Sequence, residues 1–340
     1  MTVLKGKYFK WLMVVLALTA LLLISMLISL TSGEMEIGLP KALKLAFGGG
    51  DAQSLDYMLV SQVRMPRILL GIAVGGALSL AGVILQGIYR NPLVEPFTLG
   101  ISGGASLGVA LTIVLELHRT LGGVMLPLSG FAGAFLMVLL VYILGSGRGK
   151  VNVNKMLLIG VMISFVASSG MMFLMSVSNP DSLHSMVFWT MGSLDEPNTG
   201  LIRTTLAVTL VVLLISYFFV RPLNALRLGE EKAYHLGINT NVAVRTLFIL
   251  ASLLAGVSVS VAGVIGFVGL IIPHLLRLFL GTDYRILLVS SFLLGGSFLV
   301  LSDVMARTII APNELPIGVI TGIIGGAVFI LMMSGKKHGA

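Results

Sequence analysis

Long stretches without a charged residue constrain this chain more than any other feature. Nine long stretches contain no Asp, Glu, Lys or Arg. A membrane-spanning helix needs roughly 17 to 25 predominantly apolar residues, and each stretch is near or above that length. The nine stretches are 11–33, 68–89, 96–115, 120–147, 156–180, 204–220, 246–276, 286–302 and 315–335.

The composition agrees with a chain that lies largely in lipid. Of the 340 residues, 56% are hydrophobic and 11% are charged, whereas a soluble domain carries roughly 25% charged residues. So few polar groups could not cover the outside of a soluble core of this size. The sequence therefore predicts an all-α polytopic membrane protein and excludes a soluble one.

The number of spans depends on 246–276, the longest of the nine stretches. It includes the glycine cluster Gly263, Gly266 and Gly269 followed by Pro273, so it holds either one helix or two short helices joined by a turn. Short cytoplasmic loops retain Lys and Arg during insertion. Ten spans place 15 of the 22 basic residues inside and keep the Lys336-Lys337 tail inside, whereas nine spans would put that tail outside. We therefore predict about ten spans, with both termini in the cytoplasm.

The first apolar stretch could be mistaken for a secretory signal, because Lys5, Lys7 and Lys10 precede it. Its uncharged part, 11–33, is much longer than a signal core of about 7 to 15 residues, and no small-residue cleavage site follows. We expect a retained first helix.

The two halves of the chain resemble each other when position 81 is aligned with position 262. Ala81-Gly-Val-Ile84 then falls on Ala262-Gly-Val-Ile265, and Pro92 falls on Pro273. On the ten-span count this offset equals five helices, so the copies would have opposite orientation, as in many transporters. We expect one permease domain over 1–340. Its predicted parts are an internal inverted repeat with halves at about 64–180 and 245–335, and a cytoplasmic loop at about 221–242.

The sequence offers little for catalysis or for ion coupling. It has no G-x-x-x-x-G-K-[ST] nucleotide motif, no Cys and no H-E-x-x-H, and His274 stands alone in an apolar stretch. Its intramembrane serines lack an identifiable base. Asp303 comes closest to a coupling carboxylate, but its i+4 neighbour Arg307 gives it a helix-end pairing role. We therefore assign no catalytic residue, metal ligand or cofactor site, and expect the energy source to lie outside the chain.

Several motifs together resemble one known family. The resemblance runs from about residue 10 to 333 and identifies the chain as similar to the FecCD-type permeases of ABC importers for iron-siderophore, haem and cobalamin. The motifs are Arg64-Met-Pro-Arg67, Gly75-Gly76-Ala-Leu-Ser-Leu-Ala-Gly82-Val-Ile-Leu-Gln86, Arg90-Asn91-Pro92-Leu93-Val-Glu95-Pro96, Leu99-Gly-Ile-Ser-Gly-Gly-Ala105, Ala262 to Arg277, Asp303-Val-Met-Ala-Arg307 and Glu314-Leu-Pro-Ile-Gly318.

The resemblance implies a type II ABC importer permease in the plasma (inner) membrane of a prokaryote. Its expected partners are a second copy of itself, two cytoplasmic ATPase subunits that hold ATP and Mg, an external solute-binding protein and membrane lipid, with no nucleic acid. Iron-siderophore import is the default expectation. The alternatives are haem, cobalamin or molybdate import, and an ATP-independent secondary carrier.

Three outer arginines match family positions that meet acidic residues of the binding protein. These are Arg64, Arg67 and Arg307, and the resemblance implies that they dock this partner. Charge complementarity would there orient docking and speed encounter. The alternative is that all three are interfacial anchors that reach to lipid headgroups.

The segment Gly229-Glu-Glu-Lys-Ala-Tyr-His-Leu-Gly237 is expected to form a short cytoplasmic helix. Its acidic residues would favour the helix N-terminus. The resemblance implies that it couples the permease to the ATPase, and the alternative is an ordinary solvated connector. The predicted coupling residues are Glu230, Glu231, Tyr234, His235, Leu236 and Gly237.

Two further pairs match the family's cytoplasmic gate. Asn91 and Leu93 lie in the turn after the second span, and Val153 and Asn154 lie just before the fifth. An Asn-Pro sequence is equally what a tight turn selects. Val153 and Asn154 also differ from the small hydroxyl residues expected there, so this gate depends on the resemblance alone.

Overall fold

The computed structural model describes residues 2–33, 35–147 and 150–334. The Lys336-Lys337 tail used for the orientation prediction lies outside these residues. The helices are α1 (Thr2–Thr31), α2 (Leu39–Ala46), α3 (Leu55–Met58), α4 (Met65–Tyr89), α5 (Ile101–Val114), α6 (Leu117–Leu121), α7 (Met125–Gly145), α8 (Val153–Val177), α9 (Pro180–Met191), α10 (Thr199–Phe218), α11 (Val220–Leu226), α12 (Glu230–His235), α13 (Thr240–Ala262), α14 (Val268–Leu280), α15 (Tyr284–Thr308) and α16 (Ile317–Ser334).

Short irregular elements join some of these helices. A π-helical turn, Leu59–Arg64, connects α3 to α4, and a 3-10 turn, Pro96–Leu99, precedes α5. Within the described ranges the only strands are β1 (Ser146–Gly147) and β2 (Lys150–Val151), which pair antiparallel between α7 and α8. The predicted all-α architecture is confirmed, apart from this short pair of two-residue strands.

Within the described residues, ten apolar helices correspond to the predicted spans. Seven of these are long and apolar enough to cross a membrane, and α5, α14 and α16 are shorter. The stretch 246–276 divides as one alternative required, since α13 ends at Ala262 and α14 begins at Val268. Gly263 and Phe267 in the intervening turn have φ of 68° and 69°. At 1.5 Å per residue, α14 is about 20 Å long, less than the roughly 30 Å of a hydrocarbon core.

Helix α4 lies at the centre of the bundle. In its most apolar window 89% of the residues are buried, against 11% in α1 and in α8. It packs on α10, α13, α14 and α15. Lipid-facing side chains therefore concentrate on the outer helices, and α4 is enclosed by protein.

Glycines allow α4 to approach its neighbours closely. A Cβ added at Gly82 would lie 1.9 Å from the carbonyl oxygen of Gly269 in α14, and one at Gly75 would lie 2.2 Å from that of Gly295 in α15. Ser79 adds a hydrogen bond of 2.7 Å to the carbonyl oxygen of Ser291. Small residues at membrane helix contacts permit this backbone proximity.

The alignment of the two halves places α4 on α13, which are the second and seventh apolar helices. The aligned positions do not share the same secondary structure throughout. Gly82 lies inside α4, whereas its counterpart Gly263 caps the end of α13. Pro92 likewise lies in a turn, whereas its counterpart Pro273 lies inside α14.

Candidate functional site

The arginine cluster, defined as Arg64, Arg67 and Arg307, lies where α1, α4 and α15 meet. Arg64 ends the π-helical turn, Arg67 lies in the first turn of α4 after Pro66, and Arg307 lies in the last turn of α15. We call this the outer end of the molecule, following the predicted topology. The three residues are 2%, 7% and 7% exposed. The structure thus brings the three predicted docking residues together, but buries them within the chain.

Arg67 is held by carboxylates from two different turns. Its Nη1 donates to both oxygens of Glu314, at 3.0 and 2.9 Å, and its Nη2 lies 3.3 Å from Oδ1 of Asp195. The carboxylates are the more accessible partners, since the side chains of Glu314 and Asp195 are 51% and 70% exposed. A molecule approaching the outer end therefore meets these two acids before it meets Arg67.

Arg64 and Arg307 bind the end of α1. Arg64 Nη1 donates to the carbonyl oxygen of Leu30 at 2.6 Å, and Arg307 Nη1 donates to that of Ser32 at 3.2 Å. Carbonyl groups at a helix C-terminus lack helical partners and attract cations. Arg307 Nε also donates to Asp303 at 2.8 Å, which confirms the predicted i+4 pair. Each guanidinium of the cluster is thus bound by groups of the chain itself.

Glu314 and Asp195 are the site residues that the sequence reasoning missed. The predicted topology places both in outer loops, but it does not assign either of them to Arg67. Both lie far from Arg67 along the chain, which hides the contact, because no sequence spacing relates them. The sequence feature that could have indicated this contact is an Arg at the start of an apolar span, because a buried charge there requires a partner.

A cavity of about 760 Å³ lies beside Asp195 at the outer end. It is lined by apolar side chains such as Trp189 and Phe188 and by polar residues of the loop that holds Glu196. Burial raises the pKa of Glu196, and the neighbouring Asp195 charge acts in the same direction, against a backbone hydrogen bond from Asn198. The cavity therefore has a mixed apolar and polar lining.

The predicted coupling helix forms as α12, Glu230–His235. Glu230 and Glu231 occupy its first turn, as expected. Ala233 is fully buried, whereas Leu236 follows the helix end and is 63% exposed. Tyr234 is 70% exposed. The segment therefore presents large apolar side chains away from the chain.

Residues 91–94 form a tight turn after α4. The side-chain oxygen of Asn91 accepts a hydrogen bond of 2.9 Å from the backbone of Leu93, whose side chain is 48% exposed. Val153 and Asn154 do not precede the fifth span but begin it as the first residues of α8. Val153 is 6% exposed and packs inside the chain, whereas Asn154 is exposed. Of this second pair, only Asn154 presents its side chain outward.

The two groups of predicted partner-binding residues lie at opposite ends of α4. Arg67 is in its first turn, while Arg90 follows its last residue and approaches Gly229, which precedes α12. A helix of 25 residues is about 37 Å long, which exceeds the hydrocarbon thickness of a bilayer. A single central helix therefore connects the arginine cluster to residues 229–237, the α12 segment with a predicted coupling role.

Within the described residues, no group of three His, Cys, Asp or Glu side chains is placed to hold a metal ion. At the outer end, Arg67 and Arg307 instead pair with carboxylates, and Arg64 binds backbone carbonyl oxygens.

Known sequences place this chain in a family. Residues 21–335 match the FecCD transport family. The chain is 35% identical to the hemin transport system permease HmuU of Yersinia pestis, over 93% of this chain and 95% of that protein. It is 36% identical to the vitamin B12 import system permease BtuC of Salmonella typhi, over 95% and 94%. It is also 36% identical to YvrB, an uncharacterized ABC transporter permease of Bacillus subtilis, over 94% and 92%.

Solved structures agree with this placement. A metal-chelate type ABC transporter in an inward-facing conformation superposes with a TM-score of 0.82 and 31% identity, over 95% of this chain and 99% of that chain. PsaBC from Streptococcus pneumoniae, with a TM-score of 0.55 and 20% identity, shares the fold. From the family match over most of the chain, these relatives and the ten-helix architecture, we conclude that this protein is an ABC importer permease of the FecCD transport family.

Proposed function

We propose that this chain forms the membrane path for a metal chelate, with an iron-siderophore as the first candidate, delivered by an external solute-binding protein. The observation that carries the proposal is the presence of two surfaces suited to different partners at opposite ends of α4. The arginine cluster with its exposed acids lies at one end, and the exposed face of the α12 segment lies at the other.

The relatives support a large chelate as the transported class. One is named for hemin and one for vitamin B12, and the superposed transporter is of the metal-chelate type. Haem and cobalamin are therefore the second candidates. The mixed lining of the outer cavity suits a solute that the binding protein selects and the permease passes on.

The proposed assembly contains two copies of this chain, two ATPase subunits that hold ATP and Mg, and one binding protein. ATP-driven closure of the ATPases would move the α12 segments and switch the dimer between outward and inward openings, a rigid-body type of transition. The exposed side chains of Asn91, Leu93 and Asn154 would form the inner gate.

Native mass spectrometry of the assembly extracted gently from its own membrane tests this composition. Two copies of the chain with two ATPase subunits would agree with the proposal. Proteoliposomes containing that assembly and the binding protein would then be offered a ferric siderophore, haem, cobalamin and molybdate. ATP-dependent uptake of one chelate is expected. Solute movement by the purified chain alone, without ATP, would contradict the proposal and favour a secondary carrier.

A further inference from the structure

The inner end holds a cationic pocket that the proposed transport function does not use. A cavity of about 220 Å³ is lined by Gln86, Gly87, Arg90, Pro92, Arg227, Arg277 and Tyr284. Three of these seven residues are arginines and none is acidic. The pocket lies beside the turn after α4, at the opposite end of the molecule from the arginine cluster.

Buried groups fix Arg277 in the wall of this pocket. Its Nη1 donates to the side-chain oxygen of Gln86, which is 3% exposed. The amide nitrogen of Gln86 in turn donates to the carbonyl oxygen of Gly269 at 3.1 Å, so the orientation of this amide is determined. Tyr284 lines the same pocket and contributes a neutral hydroxyl beside Arg277. The guanidinium is therefore positioned by neutral groups, which leave its charge uncompensated.

The other two arginines are more exposed and keep most of their donors available. Arg227 uses Nη1 for a hydrogen bond of 2.9 Å to the carbonyl oxygen of Thr282. Arg90 extends its guanidinium toward Gly229, from a backbone with φ of 52°. A guanidinium has five N–H donors in a planar fork that suits phosphate oxygens. Together the three side chains offer more donors than the protein engages.

No carboxylate neutralises these arginines in the described part of the chain. None of the three takes part in the salt bridges found there. Asp283, which directly precedes Tyr284, pairs instead with Lys7 and accepts a hydrogen bond from the side-chain amide of Asn224.

Helix ends account for only part of the charge. Arg90 and Arg227 follow the last residues of α4 and α11, and Arg277 lies in the last turn of α14. A helix C-terminus contributes roughly half a negative charge, so three ends supply at most about −1.5 against three full positive charges. A net positive charge of about 1.5 or more therefore remains in a concave site.

We propose that Arg90, Arg227 and Arg277 form a binding site for a phosphate group at the inner end of the permease. The phosphate belongs either to the headgroup of an anionic phospholipid or to a soluble phosphate compound. The cavity holds the volume of about seven water molecules, at roughly 30 Å³ each, which fits a phosphate with a few attached atoms. Lys10 and Arg285 lie at the same end and add to its positive potential. The site does not depend on the transport function proposed above.

Binding to the full-length chain, purified and delipidated in a neutral detergent, tests the site. The probes are dioleoyl phosphatidylglycerol, dioleoylglycerol, which has the same acyl chains without phosphate, and inorganic phosphate. Bound lipid is counted by native mass spectrometry, and phosphate binding is followed by the shift in Tm. The test variant combines Arg90→Gln with Arg227→Gln, both at exposed positions. Arg221→Gln combined with Lys155→Gln is the matched control, because it also removes two positive charges, both from exposed positions outside the pocket.

Two outcomes support the site and identify the source of the phosphate. If a lipid occupies it, phosphatidylglycerol binds more tightly than dioleoylglycerol, and its affinity falls about tenfold in the double variant but not in the control. If a soluble compound occupies it, inorganic phosphate raises Tm in the wild type and control but not in the double variant, and the two lipids bind equally.

Other outcomes overturn the proposal. Equal binding of both lipids without a phosphate effect would show that the pocket does not select phosphate. Unchanged probe binding in the double variant would show that the arginines are not the ligands.

Discussion

The guanidinium of Arg67 and the carboxylate of Glu314 join the start of α4 to the turn before α16, with Nη1 at 3.0 and 2.9 Å from the two carboxylate oxygens. The contact connects residues 247 positions apart. In this contact Arg67 is buried, whereas Glu314 is half-exposed.

Glu314→Gln should lower the stability of the folded permease. The substitution removes one of the charges that compensate a buried guanidinium, while Asp195 and Asp303 remain nearby. Because Glu314 is half-exposed, we expect a loss of about 1 to 2 kcal/mol rather than the roughly 3 to 5 kcal/mol of a fully buried pair. The Tm in detergent measures it. Glu116→Gln is the control, since its pair with Arg119 is exposed on both sides and its loss should change little. Equal Tm shifts would contradict the expectation.

A charge exchange separates the docking role of Arg67 from its role within the chain. Arg67→Glu alone should destabilise the protein, because the new carboxylate would face those of Asp195 and Glu314. Adding Glu314→Arg should recover Tm by restoring an opposite pair. If an acidic residue of the binding protein contacts Arg67, the double variant should still show a loss of at least about tenfold in binding-protein affinity and of uptake. Recovery of both Tm and uptake would restrict Arg67 to the intrachain pair.

Gly82→Ala should disrupt the contact between α4 and α14. The new Cβ would lie 1.9 Å from a backbone oxygen, which cannot move as a flexible side chain can. Overpacking of this kind costs about 3 kcal/mol, visible as a lower Tm and lower yield of folded protein. Gly322→Ala in α16 is the control, because a Cβ there meets nothing within 4 Å. A Gly82→Ala variant as stable as this control would refute the close approach.

The exposed side chains of the α12 segment should affect ATPase assembly and leave the fold intact. Tyr234→Ala with Leu236→Ala removes apolar surface that is 70% and 63% exposed, so Tm should change by less than a degree or two. Co-purification of the ATPase subunits and ATP-driven uptake should fall about tenfold or more. Tyr217→Ala, at a half-exposed tyrosine near the end of α10, is the control and should preserve both. Normal assembly in the double variant would exclude the coupling assignment.

Acidification should weaken the anchoring of α1 to the turn before α15. Burial would raise the pKa of Asp283, but hydrogen bonds from the Arg285 backbone, Lys7 and Asn224 outweigh it and hold the pKa below its ordinary value of 3.8. A depressed pKa in the folded state stabilises above the unfolded pKa, and this stabilisation is lost as the pH falls below about 4. Both partners are partly exposed, so the contribution is at most about 1 kcal/mol.

A pH titration of Tm for the wild type and Asp283→Asn checks this anchor. The wild type should be more stable at pH 7, and the difference should shrink toward pH 3. A difference independent of pH would assign the effect to the hydrogen bonds of Asp283 rather than to its charge.

The sequence predicted the apolar helices because each lies mostly within an uncharged apolar stretch bounded by charged residues, but it did not predict short helices such as α2, α3, α6 and α11. The division at Ala262 and the short helix after Gly229 followed from glycine positions and charge. It could not predict the surroundings of Arg64, Arg67 and Arg307, since their partners come from distant turns. Val153 lies in the first turn of α8 rather than before it for a local reason. The side chain of Asn152 caps that helix by accepting a hydrogen bond from the backbone N–H of Lys155. An Asn followed by a second Asn two residues later offers two possible starts.

The central position of α4 also sets an order of events during synthesis. Its closest contacts, at Gly82 with Gly269, at Ser79 with Ser291 and at Arg67 with Glu314, all join the first half of the chain to the second. The ribosome therefore releases α4 into the membrane long before the helices that enclose it exist. Until α14 and α15 have been inserted, the glycines and Arg67 of α4 lack their native partners. The first half of this permease can therefore complete its fold only after the second half has been made.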